Sequence, residues 1–223
     1  MDSAKEAAVG IDLGTTHSVI AFLDKDGRPT TIKNAEGDAT TPSIVFFDEK
    51  RPVVGKEAAT IAPFEPELVA QFVKRAMGES YYEKRIRGRR LPPEVIQALI
   101  LKKLKDDAEL VLGTIQNVVI TVPAYFNEPR RKATQDAGRL AGLNVMDIIN
   151  EPTAAAIAFG VQKGFLDAQG SATSKERVLV YDLGGGTFDV TVMEISGRDY
   201  KTISTAGDVY LGGIDWDDRI VDH

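Results

Sequence analysis

A glycine turn between two β-rich runs, with an aspartate on either side, occurs in the second half of this chain and is echoed near its start. That repetition limits the folds open to it. The fuller copy is Arg177-Val-Leu-Val-Tyr-Asp-Leu-Gly-Gly-Gly-Thr-Phe-Asp-Val-Thr-Val-Met-Glu-Ile195. Residues 178–181 and 190–195 are rich in β-branched and aromatic types, which predicts two strands of a hairpin. Between them Gly184, Gly185 and Gly186 are free to adopt positive φ. Three successive residues without a Cβ let backbone N–H groups approach an anion closely, as a concave set of donors for a phosphate. Asp182 and Asp189 flank that anion site.

The earlier copy, Val9-Gly-Ile-Asp-Leu-Gly-Thr-Thr-His-Ser-Val-Ile-Ala-Phe-Leu23, has the same order of strand, Asp-Leu-Gly, small or hydroxyl-bearing turn, and strand. Asp12 matches Asp182. One such hairpin in each half of a pseudo-repeated fold is expected to bring two carboxylates and two phosphate-binding turns together across a cleft. Magnesium usually takes one or two carboxylates, several waters and the phosphates themselves, so the pair suits a metal–nucleotide complex. Neither turn is a G-x-x-x-x-G-K-[S/T] loop, and neither is a G-x-G-x-x-G opening a helix. The chain therefore uses a different phosphate-binding solution.

Composition narrows the classes further. With 223 residues, 43% of them hydrophobic and 27% charged, the chain is long enough for one large or two small domains with a substantial core. A net charge of −6 argues against a nucleic-acid partner, which needs a concentrated basic face. No apolar run approaches the roughly 20 residues needed to span a bilayer, and the polar start lacks the apolar core of a signal peptide, so a cytoplasmic protein without a membrane partner is expected. The absence of cysteine excludes disulfides, thiolate zinc sites and a cysteine nucleophile. His17 and His223 are the only histidines, which disfavours a histidine-based triad.

Taken in order, residues 1–7 read as a polar, frayed tail, followed by the Asp12 hairpin and a further strand at 30–34. Residues 37–47 pass from turn residues into an apolar strand, 53–55 read as a short partner and 56–61 as a helix, together an inserted subdomain. A helix is expected over 67–77, where Leu68, Phe72 and Met77 lie near helical spacing and Gly78 stops it. Its pattern alone places Lys74 on a solvated face. The basic run 84–90 reads as a solvated loop. Pro92-Pro93 introduces a helix over 94–112 with Val95, Leu99, Leu104, Ala108 and Val111 along one stripe, ended by Gly113. Residues 117–123 read as a buried strand, 128–142 as a helix capped by Asn127, and 145–149 as a strand. Asn150 is a cap for an alanine-rich helix in which Glu151 stands at the entrance, open equally to a structural or a functional role. Residues 163–177 read as a mobile crossover, 200–205 as a strand, and 206–215 as a glycine-punctuated loop into a helix from Trp216. The last helix is cut short at His223, so the second half reads as incomplete. Alternating strands and helices indicate an α/β architecture.

Five motifs, Ile11-Asp-Leu-Gly-Thr-Thr-His-Ser18, Thr121-Val-Pro-Ala-Tyr-Phe-Asn127, Ile149-Asn-Glu-Pro-Thr-Ala-Ala-Ala156, Tyr181-Asp-Leu-Gly-Gly-Gly-Thr-Phe-Asp189 and Leu211-Gly-Gly213, stand in the order found in DnaK-type chaperones. The chain from about residue 9 onward resembles that seventy-kilodalton heat-shock family. The resemblance implies an actin-like ATPase (ribonuclease H-like) fold, with residues 1–177 as lobe I, its outer subdomain inserted at about 38–92, and 178–223 as the beginning of lobe II. It implies ATP/ADP and Mg²⁺ as cofactors, the metal held through waters by Asp12 and Asp182. Gly14, Thr15, Thr16, His17, Gly184, Gly185, Gly186, Thr187, Gly212 and Gly213 match nucleotide-binding positions. Lys74, in Phe-Val-Lys-Arg-Ala-Met-Gly78, matches the lysine that stabilises charge on the γ-phosphate, which reverses the solvated reading. Glu151 and Asp189 match residues that orient metal waters and the attacking water, Thr187 the autophosphorylated threonine, and Pro123 and Arg131 an interdomain switch.

By the same resemblance the parent protein is a stress-response ATPase that works in protein folding, with unfolded peptides, a J-domain cochaperone and a nucleotide exchange factor as partners. Two features depart from the family pattern. The stretch from Gly78 to Pro92 is shorter than in typical bacterial members, which points to an altered response to exchange factor or cochaperone. His17 stands where many have Asn. The family's adenosine-binding segments, linker and peptide-binding domain are expected beyond His223. An actin-like small-molecule kinase and a non-catalytic actin-like scaffold are the alternatives on fold alone.

Overall fold

The computed structural model describes residues 7–167 and 169–222. The expected polar tail lies outside them except for Ala7, which opens the first strand, and so does His223. The chain divides into two compact units, one comprising residues up to 120 and 127–148, the other 121–126 and 149 onward.

In the first unit the elements run β1 (Ala7–Asp12), β2 (His17–Leu23), β3 (Pro29–Thr31), β4 (Thr41–Pro42), β5 (Ile44–Phe47), β6 (Pro52–Val54), α1 (Lys56–Ile61), β7 (Val69–Gln71), α2 (Pro93–Leu112), β8 (Ile115–Val122), α3 (Glu128–Leu140) and β9 (Asn144–Asn150). A six-stranded mixed sheet has the order β3-β2-β1-β8-β9, with β4 also paired to β2. β1 is antiparallel to β2 and parallel to β8, so that Val9 lies beside Val118 and Ile11 beside Ile120. These residues and Ile20 are buried, as the two-residue period of a strand requires of one face. Burying each such side chain contributes about 1.5–3 kcal/mol. The inserted subdomain is a second sheet, β6-β5-β7, closed by α1 over a small core of Ile44, Phe46, Ala58 and Val69.

Two helices of this unit depart from the sequence reading. In α2 the buried row is Ile96, Ile100, Leu101, Leu104 and Ala108, whereas Val95 and Val111 are exposed, at 39% and 64%. Val95 sits one residue to the side of that row, a rotation of about 100° on a helix, and Val111 lies in the last turn, past the last buried residue of the row. The expected helix over 67–77 is absent. Its place is taken by a single 3-10 turn at Pro66–Leu68, strand β7, and a second 3-10 turn at Val73–Ala76. Pairing of Val69, Ala70 and Gln71 with β5 competes with the helix, and Phe72, at φ 59°, breaks it between the strand and the second turn.

The second unit contains α4 (Glu151–Lys163), β10 (Ala172–Leu183), β11 (Phe188–Gly197), β12 (Asp199–Asp208) and α5 (Gly213–Val221). The three strands form an antiparallel meander, with β12 at one edge. One face packs on α4 and the turn after it through Ala156, Leu166, Met193 and Ile195. Contact is close there because a Cβ on Gly160 would lie 2.5 Å from Leu166. The opposite face leaves Leu179 and Tyr181 each 63% exposed. The expected crossover over 163–177 is shorter than read: Gly164 ends α4 in a left-handed conformation and β10 already begins at Ala172. α5 begins at Gly213 instead of Trp216, because the Asp215 carboxylate accepts the Gly212 amide at 2.7 Å and caps an earlier turn.

Candidate functional site

The first glycine turn joins β1 to β2. Asp12 is the last residue of β1, opposite Val19, and is exposed. A Cβ at Gly14 would lie 1.9 Å from the carbonyl oxygen of His17, so the backbone crosses itself there as only glycine permits. The turn is braced from below. The Gly14 amide donates to Ser18 Oγ at 3.2 Å, Ser18 Oγ shares a proton with Ser43 Oγ at 2.9 Å, and the Ser43 amide donates to the Thr16 carbonyl at 2.8 Å. Thr15 is only 6% exposed, and its buried hydroxyl has no hydrogen-bond partner. An unsatisfied buried hydroxyl is costly unless a ligand completes it, so this turn fits an oxyanion ligand. His17 opens β2, paired with Pro42, and its side chain is exposed.

Lys74 belongs to the same unit. It lies in the 3-10 turn Val73–Ala76 and is only 5% exposed, where its pattern alone predicted a solvated face. A lysine taken so far out of water is rare without a charged function or partner. The turn is fixed at both ends. Phe72 enters it in the left-handed region, and Gly78, at φ +86°, follows it so close to α3 that a Cβ would meet Arg130 Cγ at 2.8 Å. Arg131 is on α3, whose first turn is capped as expected by Asn127, its side chain accepting the Arg130 amide at 3.2 Å.

The second glycine turn joins β10 to β11, with Asp182 directly opposite Asp189 and the Gly184 amide donating to the Thr187 carbonyl at 3.0 Å. None of Gly184, Gly185 and Gly186 takes the positive φ open to it. Their lack of side chains serves close approach: the amides of Gly213 and Ile214 donate to the carbonyls of Gly184 and Gly185 at 3.1 and 2.9 Å, and a Cβ on Gly212 would lie 2.5 Å from the Gly186 nitrogen. The Leu211-Gly-Gly213 loop thus lies backbone to backbone on the triple-glycine turn.

Asp189 is 3% exposed and heavily engaged. Its Oδ2 accepts the Ala124 amide at 3.0 Å, and its Oδ1 lies 2.9 Å from Thr191 Oγ1 and 3.0 Å from Thr205 Oγ1, with those hydroxyls 2.8 Å apart. Pro123, beside Ala124, is buried and starts a tight turn closed by the Phe126 amide at 3.0 Å. Glu151 is the first residue of α4 and half-buried, while Asn150 makes no side-chain cap, contrary to its reading.

The structure therefore gathers Gly14, Thr15, Thr16, His17 and Lys74 into one unit, and Asp182, the triple glycine, Thr187, Asp189, Gly212, Gly213, Glu151 and Pro123 into the other. Among the described residues no three His, Asp or Glu side chains cluster as a metal cage. A magnesium ion held mainly by phosphates and waters requires none, so Asp12 and Asp182 as single carboxylates fit that mode of binding. Sequence reasoning missed Ser18, Ser43, Thr191 and Thr205. Thr191 was legible, standing two residues after Asp189 on the same strand face; the Ser18–Ser43 contact spans separate elements and left no local signal.

Comparison with known proteins decides what these turns belong to. The family model described as Hsp70 protein matches residues 8–223. The chain belongs to the Hsp70 family. It is 50% identical over 224 residues to proteins named Chaperone protein DnaK from Thermotoga petrophila and Thermotoga maritima, and 49% identical to that of Thermotoga neapolitana. Each match takes in 100% of this chain and 36% of the relative, so the chain spans little more than a third of their length. Hsp70 membership carries the actin-like ATPase fold, with which the mixed sheet and alternating helices agree. No helix among the described residues of this Hsp70 chain is long and apolar enough to cross a membrane.

Proposed function

We propose that this chain is the phosphate-binding part of an ATP-hydrolysing chaperone, and that the parent protein couples hydrolysis to the holding and release of unfolded peptides. The observation that carries the reading is the Gly14–Thr15 turn, whose backbone crossing excludes any side chain and whose buried hydroxyl lacks a partner, in a chain of the Hsp70 family. Gly14, Thr15, Thr16 and His17 bind phosphate oxygens, and Gly184, Gly185, Gly186 and Thr187 do the same from the second turn, supported by Gly212 and Gly213. Asp12 and Asp182 hold Mg²⁺ through waters; the ion, when bound, neutralises charge on the phosphates.

Phosphoryl transfer needs positioning and charge stabilisation more than covalent chemistry, which suits a site without a strong nucleophile. Lys74 places a desolvated ammonium against the γ-phosphate. Asp189 and Glu151 orient the attacking and metal-bound waters, and Thr187 is the residue that receives phosphate when the enzyme modifies itself. Pro123 and Arg131 form the switch to the rest of the protein. A J-domain cochaperone and a nucleotide exchange factor are its partners, and the cytoplasm its compartment. Residues 1–177 with the 38–92 insertion are assigned to lobe I and 178–223 to lobe II.

The test is Lys74→Ala in a protein carrying this sequence within a whole ATPase domain. Single-turnover hydrolysis is expected to fall by about 100-fold or more while the unfolding midpoint holds. Wild-type turnover in that variant would overturn the assignment.

A further inference from the structure

The oxygens of Asp189 are held by groups that lie outside the nucleotide-binding motifs. Thr191 is fully buried and faces the same side of β11 as Asp189, while Thr205 reaches the carboxylate from β12, where Val190 pairs with Ala206 and Thr191 with Thr205. Both hydroxyls are within hydrogen-bond distance of Oδ1, at 2.9 and 3.0 Å, and of one another, at 2.8 Å. Each hydroxyl has one proton. The two protons serve either two bonds to Oδ1 or a relay in which one threonine donates to the other and that one to the carboxylate; in both arrangements Oδ1 accepts at least one hydrogen bond and the two hydroxyl oxygens, at 2.9 and 3.0 Å, stand over it. Oδ2 accepts the Ala124 amide at 3.0 Å and keeps a second lone pair.

The geometry points to Thr191 and Thr205 as positioning residues that lock the Asp189 carboxylate, so that the one remaining acceptor site of Oδ2 is aimed at the attacking water. This rests on the reading of Asp189 as the water-orienting carboxylate. A carboxylate on a short side chain rotates about its last bond unless both oxygens are tethered, and a water presented along a wandering lone pair is in line with the phosphorus only part of the time. Two strands and the Ala124 segment supply three independent tethers. The threonines neither touch nucleotide nor move protons in the reaction; they narrow the orientations of the group that does.

The experiment compares Thr191→Val, Thr205→Val, Thr191→Ser and Asp189→Asn in a protein carrying the whole ATPase domain, reading kcat, KM for ATP and hydrogen exchange of the Ala124 amide. Each valine variant is expected to lose about 10-fold to 100-fold in kcat, with KM within about twofold, because a misdirected carboxylate affects the chemical step and not binding. The Ala124 amide exchanges faster in both, since its acceptor is free to turn away. Thr191→Ser keeps the hydroxyl and restores the rate. Wild-type kcat in the valine variants beside an inactive Asp189→Asn overturns the positioning role and leaves the reading of Asp189 intact. Wild-type kcat in Asp189→Asn overturns that reading, and the proposal with it. Loss of kcat that serine fails to rescue also overturns it, as a packing effect. Should Thr191→Val not fold, Thr205→Val, on the exposed edge strand, decides the same question.

Discussion

Single positions in this chain are constrained by whether one carbon atom fits. Gly10 and Gly14 make the contrast: both lie on the first hairpin, yet a Cβ at Gly10 meets nothing within 4 Å and one at Gly14 meets the His17 carbonyl at 1.9 Å. Gly14→Ala is expected to cost about 1–3 kcal/mol in chemical denaturation and to abolish ATP binding, with Gly10→Ala as the unaffected control. At this scale sequence and structure agree on which residues matter and differ on why. The triple glycine was legible as a turn whose missing side chains allow close approach, but residue types alone do not show that the backbone of Gly212 to Ile214 also lies against it. A partner more than twenty residues away leaves no trace in the local pattern. Lys74 shows the same limit: its neighbours suggest exposure, and only the fold around the Val73–Ala76 turn takes it out of water.

At the scale of elements, the strands that carry the glycine turns and the helices with clear stops were readable, because alternation, caps and breakers are written within a few residues. α1, over Lys56–Ile61, falls where expected, and α3 starts at its Asn127 cap. Asn127→Ala is expected to lower unfolding free energy by about 1 kcal/mol in urea titration, and Asn127→Asp to retain it. Residues 67–77 were misread because their apolar spacing suits a helix while β5 offers a backbone ladder, and a competition settled by a distant strand is invisible locally. A third contact of that kind fastens α2. Burial of Lys103 opposes its charge, but hydrogen bonds to Asp107 and Glu36 outweigh that penalty and raise its pKa above the ordinary 10.5. Because the folded value is the higher one, this contribution is complete below the ordinary value and fades as pH climbs through the raised one.

For the molecule as a whole, Tyr82 acts in the same direction. Burial of its phenol, only partly offset by its hydrogen bond to the Gln71 backbone, raises its pKa above 10.0. The neutral form is the one the fold prefers, so this stability too is present below pH 10 and lost above it. Alkaline titration followed by tyrosinate absorbance and circular dichroism is expected to show the first unit unfolding as Tyr82 ionises. Lys103→Met should flatten that alkaline loss of stability. The edge strand β12 carries a different consequence. Ten residues long and exposed along nearly all its length, it has Lys201 as the single charge between residues 200 and 207. Such an edge is a template for intermolecular cross-β growth, and one cation is a thin gatekeeper. Concentrated stocks of Lys201→Thr are expected to become thioflavin-positive sooner than wild type, which makes shelf life in the tube a property of one lysine.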